Sequence, residues 1–302
     1  MSHPADDRAS ANSTPSNPAR RTFVAYSAVT GIGAYGAVAA AAQAEVVERD
    51  VVVATPDGKC DAAFFHPAAG RHPGVLIWTD AFGLRPAFRD MARRLAAQGY
   101  AVLVPNPFYR LAKAPVYAEA EVSGFDFQNP AQMAKLKHFI GSPSAPGAAE
   151  ADAKAYTAFL DAQPQVDAAA KLGTQGYCMG GPLVLRTAAA VADRIGAGAS
   201  FHGGGLVTDK PDSPHLLAPK IKAHLYIAIA ASDDQRQPDA KDRLREAFAA
   251  AKVAADIDVY AGAKHGWCVA DMPLQGGQPI YSPPDAERAW TKLSSLYAAA
   301  LV

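Results

Sequence analysis

Short apolar runs alternate with amphipathic segments along the chain from residue 45 onward. The run from Val75 to Trp78 is wholly apolar, as expected of a strand buried in the middle of a sheet. The segment from about Pro86 to Gln98 has Phe88, Met91 and Leu95 at helical spacing, with arginines off that face. This alternation predicts an α/β fold with a mainly parallel central sheet and helices on both faces.

The other predicted elements follow from the same patterns. The sheet opens with a hairpin of strands 46–54 and 60–65, joined by a Pro-Asp-Gly turn. Further strands are predicted at 100–104, 198–201, 225–230 and 257–260, and further helices at 151–162, 239–251 and 284–299. Residues 105–150 are rich in Pro, Gly and Ser without a clear period, so we expect an irregular excursion near the top of the sheet.

Composition narrows the functional class. The chain has 302 residues, of which 50% are hydrophobic, so it can bury a large core. Its 29 Lys and Arg residues balance 29 Asp and Glu residues, which removes the positive field that a nucleic-acid partner would require. Three cysteines, at positions 60, 178 and 268, are too few and too scattered for a disulfide framework or a Cys-rich zinc site.

Residues 1–44 have the features of an export signal. A leader rich in Ser, Pro and Asn precedes Arg20-Arg21, and an uncharged, mildly apolar stretch then runs to Ala42-Gln43-Ala44. This pattern predicts recognition by the twin-arginine export machinery, cleavage between Ala44 and Glu45, and a periplasmic protein formed by residues 45–302. The alternative is an uncleaved membrane anchor, but a stretch so rich in Ala and Gly makes a poor stable span, so no anchoring is expected after cleavage.

The same stretch contains a decoy for cofactor binding. Residues Gly31 to Gly36 fit the G-x-G-x-x-G dinucleotide pattern. That fingerprint functions only after a strand and at the start of a helix, and here it lies inside the predicted signal. No nicotinamide cofactor is therefore implied.

The strongest chemical signal is the sequence Gly176-Tyr177-Cys178-Met179-Gly180-Gly181. It is a G-x-C-x-G form of the nucleophile elbow, a sharp strand-to-helix turn that presents one side chain above a sheet. Backbone N–H groups at a helix N-terminus favour a thiolate, which attacks carbonyl carbon. The alternative is a buried structural cysteine in a glycine-rich turn, so the partner residues decide between the two interpretations.

Two partners occur in the order that an α/β-hydrolase requires, with the acid after the nucleophile and the histidine last. Asp234 follows the predicted strand 225–230, where a loop could aim a carboxylate at an imidazole, and His265 follows the predicted strand 257–260. His265 could take the proton of Cys178 while the carboxylate fixes its tautomer. A lone loop histidine is otherwise a surface residue.

These residues resemble the dienelactone hydrolase family of α/β-hydrolases, which use a Cys-His-Asp triad. The resemblance covers most of residues 45–302 and implies one α/β-hydrolase domain that cleaves an ester or lactone through an acyl-cysteine intermediate without a cofactor. It assigns Cys178 as nucleophile, His265 as base and, of the adjacent Asp233 and Asp234, the second as the acid. It also implies an oxyanion hole formed by the backbone N–H groups of Met179 and Ala81.

The segment Thr79 to Gly83 resembles the family stretch in which a glutamate contacts the cysteine and holds it as a thiol. Here the acidic residue is Asp80, which is one methylene shorter. We expect Asp80 to contact Cys178 if the loop after Trp78 advances to offset the missing methylene. If the loop does not advance, Asp80 leaves the thiol unguarded.

Substrate recognition departs from the family pattern. Family members that bind the anionic dienelactone hold its carboxylate with arginines, one of them shortly after the catalytic histidine, where this chain has Trp267 and Cys268. Arg110 or Arg85 could serve instead, although each is at least as consistent with an ordinary surface arginine. The candidate substrate-binding residues are Phe82, Tyr109, Arg110 and Trp267.

The remaining histidines point to no metal. His138, His215 and His224 lack metal-ligand spacing. His202 begins a His-Gly-Gly-Gly turn after a strand, and we expect this turn to line the site. The alternatives to the proposed reaction are a general carboxylesterase without preference for dienelactone, and a non-catalytic binding protein with the same fold.

Overall fold

The computed structural model describes residues 45–301, and the predicted export signal at residues 1–44 lies outside the described part of the chain. Eight strands form one sheet in the order β1-β2-β4-β3-β5-β6-β7-β8. The strands are β1 Val46–Thr55, β2 Gly58–Pro67, β3 Gly74–Trp78, β4 Ala101–Pro105, β5 Leu172–Tyr177, β6 Ile195–Phe201, β7 His224–Ala230 and β8 Ala255–Tyr260. The first two form the predicted hairpin, with Thr55 opposite Gly58, and β4, β3, β5, β6, β7 and β8 run parallel.

Helices cover both faces of the sheet, as predicted. They are α1 Pro86–Ala97, α2 Glu119–Ser123, α3 Pro130–Gly141, α4 Ala148–Asp161, α5 Gly180–Ala190, α6 Ala231–Arg236, α7 Ala240–Ala250 and α8 Pro283–Ala300, with a 3₁₀ helix at Pro214–Lys220. Residues of α1 and α8 share one core cluster with one face of the strands, and residues of α4, α5 and α7 share a second cluster with the other face. None of the helices in residues 45–301 combines the length and apolar character needed to cross a bilayer.

Side-chain alternation along the strands explains the two core clusters. Phe65 and Ile77 belong to the cluster under α1 and α8, whereas Phe64 and Leu76 belong to the cluster under α4 and α5. Successive side chains of a strand point to opposite faces, so a strand covered on both sides must be apolar throughout. This requirement accounts for the wholly buried β3 and β4.

The excursion at residues 105–150 is more regular than the composition predicts, because it contains α2 and α3. The helix α3 begins at Pro130 behind Asn129, whose side chain accepts hydrogen bonds from the N–H groups of Ala131 and Gln132 at 3.0 and 3.2 Å. Asparagine before the helix and proline at its first position are a recognised start signal. Only Leu136 of this helix is fully buried, so its hydrophobic pattern is weak.

The α5 helix packs closely against the backbone of the sheet. Replacement of Gly180 by alanine tests how strongly the stability of the protein depends on this contact. A Cβ atom on Gly180 would lie 2.5 Å from the carbonyl oxygen of Trp78 and 2.7 Å from that of Thr79. We expect Gly180→Ala to lower the free energy of unfolding by about 1–3 kcal/mol or more, because backbone atoms cannot rotate away. Urea unfolding followed by circular dichroism measures this change.

Gly141→Ala is the matched control. No atom outside its own helix and its chain neighbours lies within 4 Å of a Cβ at this position, so the change should be neutral or stabilise the protein by up to about 1 kcal/mol. Equal stability of the two variants would contradict the tight packing of α5.

Candidate active site

The elbow places Cys178 at the carboxyl edge of the sheet, between β5 and α5. Cys178 has a φ of +53°, in the left-handed region that residues with a side chain seldom adopt. A Cβ on Gly176 would lie 2.1 Å from the carbonyl oxygen of Gly180, so only glycine permits this turn. The N–H of Cys178 donates to the carbonyl oxygen of Phe201 at 3.0 Å. Strain of this kind is common where a fold holds a reactive side chain in place.

His265 lies in the loop after β8 and faces the thiol. Its Nε2 is 3.1 Å from the Sγ of Cys178. Its backbone N–H donates to the Oγ of Ser232 at 2.9 Å, which ties this loop to the start of α6. The predicted pairing of Cys178 with His265 is therefore present in the structure as a direct contact.

Asp233, not Asp234, completes this chain of contacts. The Nδ1 of His265 lies 2.9 Å from Oδ2 and 3.0 Å from Oδ1 of Asp233. Asp234 instead accepts a hydrogen bond from Lys241 at 2.7 Å. The choice of Asp234 was wrong because the segment after β7 is the helix α6 rather than a loop. Successive residues of a helix point about 100° apart, so only one of two neighbours can face His265.

The charges in this chain of contacts support each other. Burial lowers the pKa of His265, but attraction to the Cys178 thiolate and the hydrogen bond to Asp233 outweigh burial and raise that pKa to about 10. A protonated His265 is thus stabilised between a thiolate and a carboxylate. A protonated imidazole beside the sulfur is the kind of neighbouring charge that activates a cysteine nucleophile.

The two predicted oxyanion donors lie in different loops. Met179 precedes α5 at the elbow, and Ala81 follows β3 in a turn closed by the N–H of Gly83, which donates to the carbonyl oxygen of Asp80 at 3.0 Å. Within residues 45–301, the N–H groups of Met179 and Ala81 have no acceptor among the hydrogen bonds. Neither N–H group is thus used by the protein among these contacts, and the role of both as oxyanion donors stays a prediction.

Asp80 does not have the predicted contact with the thiol. Its two carboxylate oxygens accept hydrogen bonds from Nη1 and Nη2 of Arg85 at 2.6 and 2.9 Å, and one of them also accepts from the N–H of Phe82. Arg85 in turn donates to Asp271 at 2.8 Å. Asp80 is thus engaged by a buried arginine, and the expectation that it guards Cys178 was wrong. The shorter side chain and a neighbouring guanidinium explain the difference.

An aromatic cap lies beside the nucleophile. We use this name for the buried cluster of Ala81, Phe82, Phe108, Tyr117, Val122, Phe125, Leu136 and Met179, against which the half-buried Cys178 packs. The ring of Phe82 lies 5.0 Å from that of Phe125 and 5.4 Å from that of Tyr117. Of the candidate substrate-binding residues, Phe82 is therefore the one that the structure places next to Cys178.

The other three candidates have structural roles instead. The hydroxyl of Tyr109 and the guanidinium of Arg110 both donate to the buried Asp152, at 2.8 and 2.7 Å. Trp267 is fully buried and stacks on Tyr260 with ring centroids 4.3 Å apart. These contacts give no support to a role of Tyr109, Arg110 or Trp267 in substrate binding, because the polar groups of the first two are bound to protein groups and Trp267 is fully buried.

Two residues near the site, His202 and Arg85, have contacts that the sequence did not predict. His202 follows β6 as the predicted turn, and its ring lies 4.9 Å from that of His265. Arg85 is only 3% exposed and links the loop of Ala81 to the loop after His265. The signal that could have identified His202 is its position directly after a parallel strand. No local pattern marked Arg85 as a link between the two loops, because its partner Asp271 is 186 residues away in the sequence.

Comparison with known proteins now decides the family. The sequence profile of the Dienelactone hydrolase family matches residues 60–301. The chain belongs to the dienelactone hydrolase family. Similar family members include a Methylorubrum extorquens protein named provisionally as a carboxymethylenebutenolidase, 28% identical over 92% of each chain. A Rhodococcus opacus carboxymethylenebutenolidase is 26% identical over 64% of this chain and 69% of its own.

Solved structures agree with this assignment to the dienelactone hydrolases. The structure titled m3DLH has a TM-score of 0.69 and 26% identity, and the match covers 85% of this chain and 99% of that one. The dienelactone hydrolase-like promiscuous phosphotriesterase P91, from metagenomic libraries, has a TM-score of 0.67 and 25% identity, with 85% and 99% covered. The fold is thus the α/β-hydrolase fold, and the chain is a hydrolase of the ester or lactone class.

A pair of conservative substitutions tests which aspartate orients His265. Asp233→Asn keeps the shape of the side chain but removes the charge and permits the wrong imidazole tautomer. We expect a loss of about 10³–10⁴ in kcat with any ester that the enzyme turns over. Asp234→Asn breaks only the ion pair with Lys241 and should stay within about threefold of wild type. A larger loss in Asp234→Asn would contradict the geometry.

The dependence of kcat/KM on pH provides a second measurement on the Asp233→Asn variant. With an unactivated alkyl ester, kcat/KM should fall as pH rises past about 10, because His265 then loses the proton that the leaving alcohol needs. The carboxylate of Asp233 helps to raise that pKa, so residual activity of Asp233→Asn should fall at a lower pH. An unchanged alkaline limb would show that Asp233 does not act through His265.

Proposed function

We propose that Cys178, His265 and Asp233 hydrolyse the ester or lactone through an acyl-cysteine intermediate. The observation that carries the proposal is the continuous contact from Sγ to Nε2 at 3.1 Å and from Nδ1 to Oδ2 at 2.9 Å. This order of nucleophile, base and orienting acid is the arrangement by which a side chain is activated for acyl transfer.

The reaction proceeds in two stages. The thiolate of Cys178 attacks the carbonyl carbon, and the negative charge that develops on the oxygen is stabilised by the N–H groups of Met179 and Ala81. The C–O bond to the alcohol then breaks, and imidazolium His265 gives its Nε2 proton to the departing oxygen. In the second stage neutral His265 takes a proton from water, the resulting hydroxide attacks the thioester, and the acid leaves as the thiolate reforms.

The surroundings of the nucleophile favour an apolar acyl group over an anionic one. The aromatic cap contributes mainly apolar side chains to the surroundings of Cys178, and none of its members carries a positive charge that could hold a substrate carboxylate. The two arginines that the sequence offered for a substrate carboxylate are both bound to protein carboxylates, Arg85 to Asp80 and Asp271, and Arg110 to Asp152 and Asp57. These observations support a general carboxylesterase or neutral-lactone hydrolase rather than an enzyme that depends on the carboxylate of dienelactone.

Trapping of the intermediate tests the mechanism. The protein from residue 45 onward is mixed with a neutral aryl ester, quenched in acid and analysed by mass spectrometry after digestion. We expect the acyl group on the peptide that contains Cys178, because acid protects the thioester from the base-assisted second stage. Cys178→Ala should lose both the adduct and about 10³-fold or more of the activity, since the reaction then lacks its nucleophile.

Cys268→Ala is the matched control for the trapping experiment. Cys268 is buried, and burial raises the pKa of its thiol well above the ordinary value, so it should not acylate. If no cysteine carries an acyl group and Cys178→Ala hydrolyses esters like the wild type, the enzyme uses another nucleophile. If the wild type hydrolyses none of the esters, the chain is a binding protein. A parallel screen of neutral and anionic lactones determines the substrate class.

We also propose that the enzyme is exported through the twin-arginine route and acts in the periplasm. Support comes from Arg20-Arg21 and the uncharged stretch up to Ala44. Cleavage before Glu45 would leave every described element intact, since β1 begins at Val46. We expect mass spectrometry of native protein from a periplasmic fraction to find an N-terminus at or near Glu45. Protein that keeps Met1 or Ser2 in the cytoplasmic fraction would contradict export.

Replacement of the two arginines supplies the control for the export experiment. Arg20→Lys together with Arg21→Lys keeps the positive charge but removes the residue pair that the twin-arginine machinery recognises. We expect this variant to remain uncleaved in the cytoplasm. Continued cleavage near Glu45 would indicate a different export route.

A further inference from the structure

His202 is a buried histidine whose ring has no hydrogen-bond partner. It follows β6 with a φ of +39°, its N–H donates to the carbonyl oxygen of Ala228 at 2.8 Å, and the residue is 1% exposed. Within residues 45–301 neither Nδ1 nor Nε2 contacts a donor or acceptor. A neutral imidazole has a free lone pair, the form in which histidine binds metals.

The ring of His202 lies beside the two groups of the candidate active site that also bind soft metals. One donor atom each of Cys178, His202 and His265 lie within 4.8 Å of one another. In a tetrahedral zinc site with bonds of about 2.0–2.3 Å, donor atoms are roughly 3.5 Å apart. Small side-chain rotations would therefore bring one sulfur and two imidazole nitrogens around a single ion.

The surroundings support such a site in two further ways. The Nδ1 of His265 contacts the carboxylate of Asp233, which matches the carboxylate-histidine pairs that orient metal ligands. The side chain of His265 is 27% exposed and Cys178 is half-buried, so an ion can enter from solvent and keep one position for water. His202 forms the closed side of the site.

We propose that Cys178, His202 and His265 bind a divalent cation of the zinc type. Sγ of the thiolate and Nε2 of His265 each give an electron pair to the ion, His202 gives the lone pair of one ring nitrogen, and the Nε2 proton of imidazolium His265 passes to solvent. The ion thereby occupies both groups that acyl transfer needs. Metal binding therefore inhibits ester hydrolysis. This inhibition rests on the proposed function, whereas the binding of the metal does not.

The donor set also determines which cations are excluded. One sulfur and two nitrogens suit Zn²⁺ and Co²⁺, whereas Mg²⁺ and Ca²⁺ require oxygen ligands. Asp233 is engaged by His265 and Asp80 by Arg85, so neither supplies a free carboxylate to the site. Mg²⁺ at millimolar concentration is therefore the negative control for every measurement below.

Cobalt titration provides the test, because a thiolate bound to Co²⁺ gives a charge-transfer band in the near ultraviolet. We expect the protein from residue 45 onward to bind one Co²⁺, with competition by Zn²⁺ and none by Mg²⁺. Cys178→Ser should lose the band, and His202→Asn should weaken binding at least about tenfold. Asparagine tolerates the left-handed backbone of this position, so the variant keeps the local conformation.

His224→Asn is the matched control, because His224 is half exposed at the opposite end of β7, where it pairs with Asp256. It should bind Co²⁺ like the wild type. Absence of the band, or equal affinity of His202→Asn and wild type, would overturn the proposal and leave His202 as a buried histidine that contacts water.

Zinc X-ray absorption on the wild type covers the case in which His202→Asn fails to fold. One sulfur and two imidazoles around Zn²⁺ support the site, and a single imidazole overturns it. Failure of this proposal is distinguishable from failure of the proposed function. Ester hydrolysis without Co²⁺ binding contradicts only the metal site, and Co²⁺ binding without hydrolysis contradicts only the enzyme mechanism.

Discussion

Backbone contact between α5 and the neighbouring strands fixes the position of Cys178 at the elbow. The Cα atoms of Gly176, Gly180 and Gly181 face backbone or short side chains at distances where a Cβ would clash. The α5 helix therefore approaches β3 and β6 closely, and Cys178 must adopt its left-handed φ. The same approach brings the N–H of Met179 to the loop after β3. The nucleophile and the oxyanion donors are thus consequences of one packing constraint.

A buried ion cluster connects the two loops that flank the elbow. Arg85 contacts Asp80 on the loop of Ala81 and Asp271 on the loop after His265. The pKa of Arg85 is raised above its ordinary range, since attraction to both carboxylates outweighs the effect of burial. A buried guanidinium without these partners would be strongly unfavourable, so the cluster restricts both loops to one arrangement. Its contribution is to the position of the catalytic groups more than to stability.

The fold and the elbow around Cys178 were predictable from the sequence because their signals are local. Apolar runs and helical periods identify β3, β7 and α1, and the elbow is a contiguous motif around Cys178. The acid could not be chosen locally. Whether Asp233 or Asp234 faces His265 depends on whether the residues after β7 form a helix. A helix as short as α6 has too few residues for a hydrophobic period to be recognised in the sequence. Asn129-Pro130 marks the start of α3 in the sequence. The helix itself was not predicted, because only Leu136 is fully buried and its hydrophobic pattern is weak.

Arg110 and Trp267 show a different limit of sequence reasoning. Both are residue types that commonly bind ligands, and their chemistry is the same whether they face a substrate or the protein. Only the three-dimensional partners decide, and here these are Asp152 for Arg110 and Tyr260 for Trp267.

The proton of His265 shows why reactivity and metal binding are coupled in this site. A thiolate is nucleophilic when an imidazolium is close enough to stabilise it, and Asp233 stabilises that imidazolium in turn. Removal of the proton leaves two adjacent electron pairs, which is what a borderline-soft cation requires. His202 differs from His265 in lacking a hydrogen-bond partner for its ring among the described residues, so its ring nitrogens are free to supply a third electron pair. The three donor atoms lie within 4.8 Å of one another, and this proximity is what makes the site receptive to zinc.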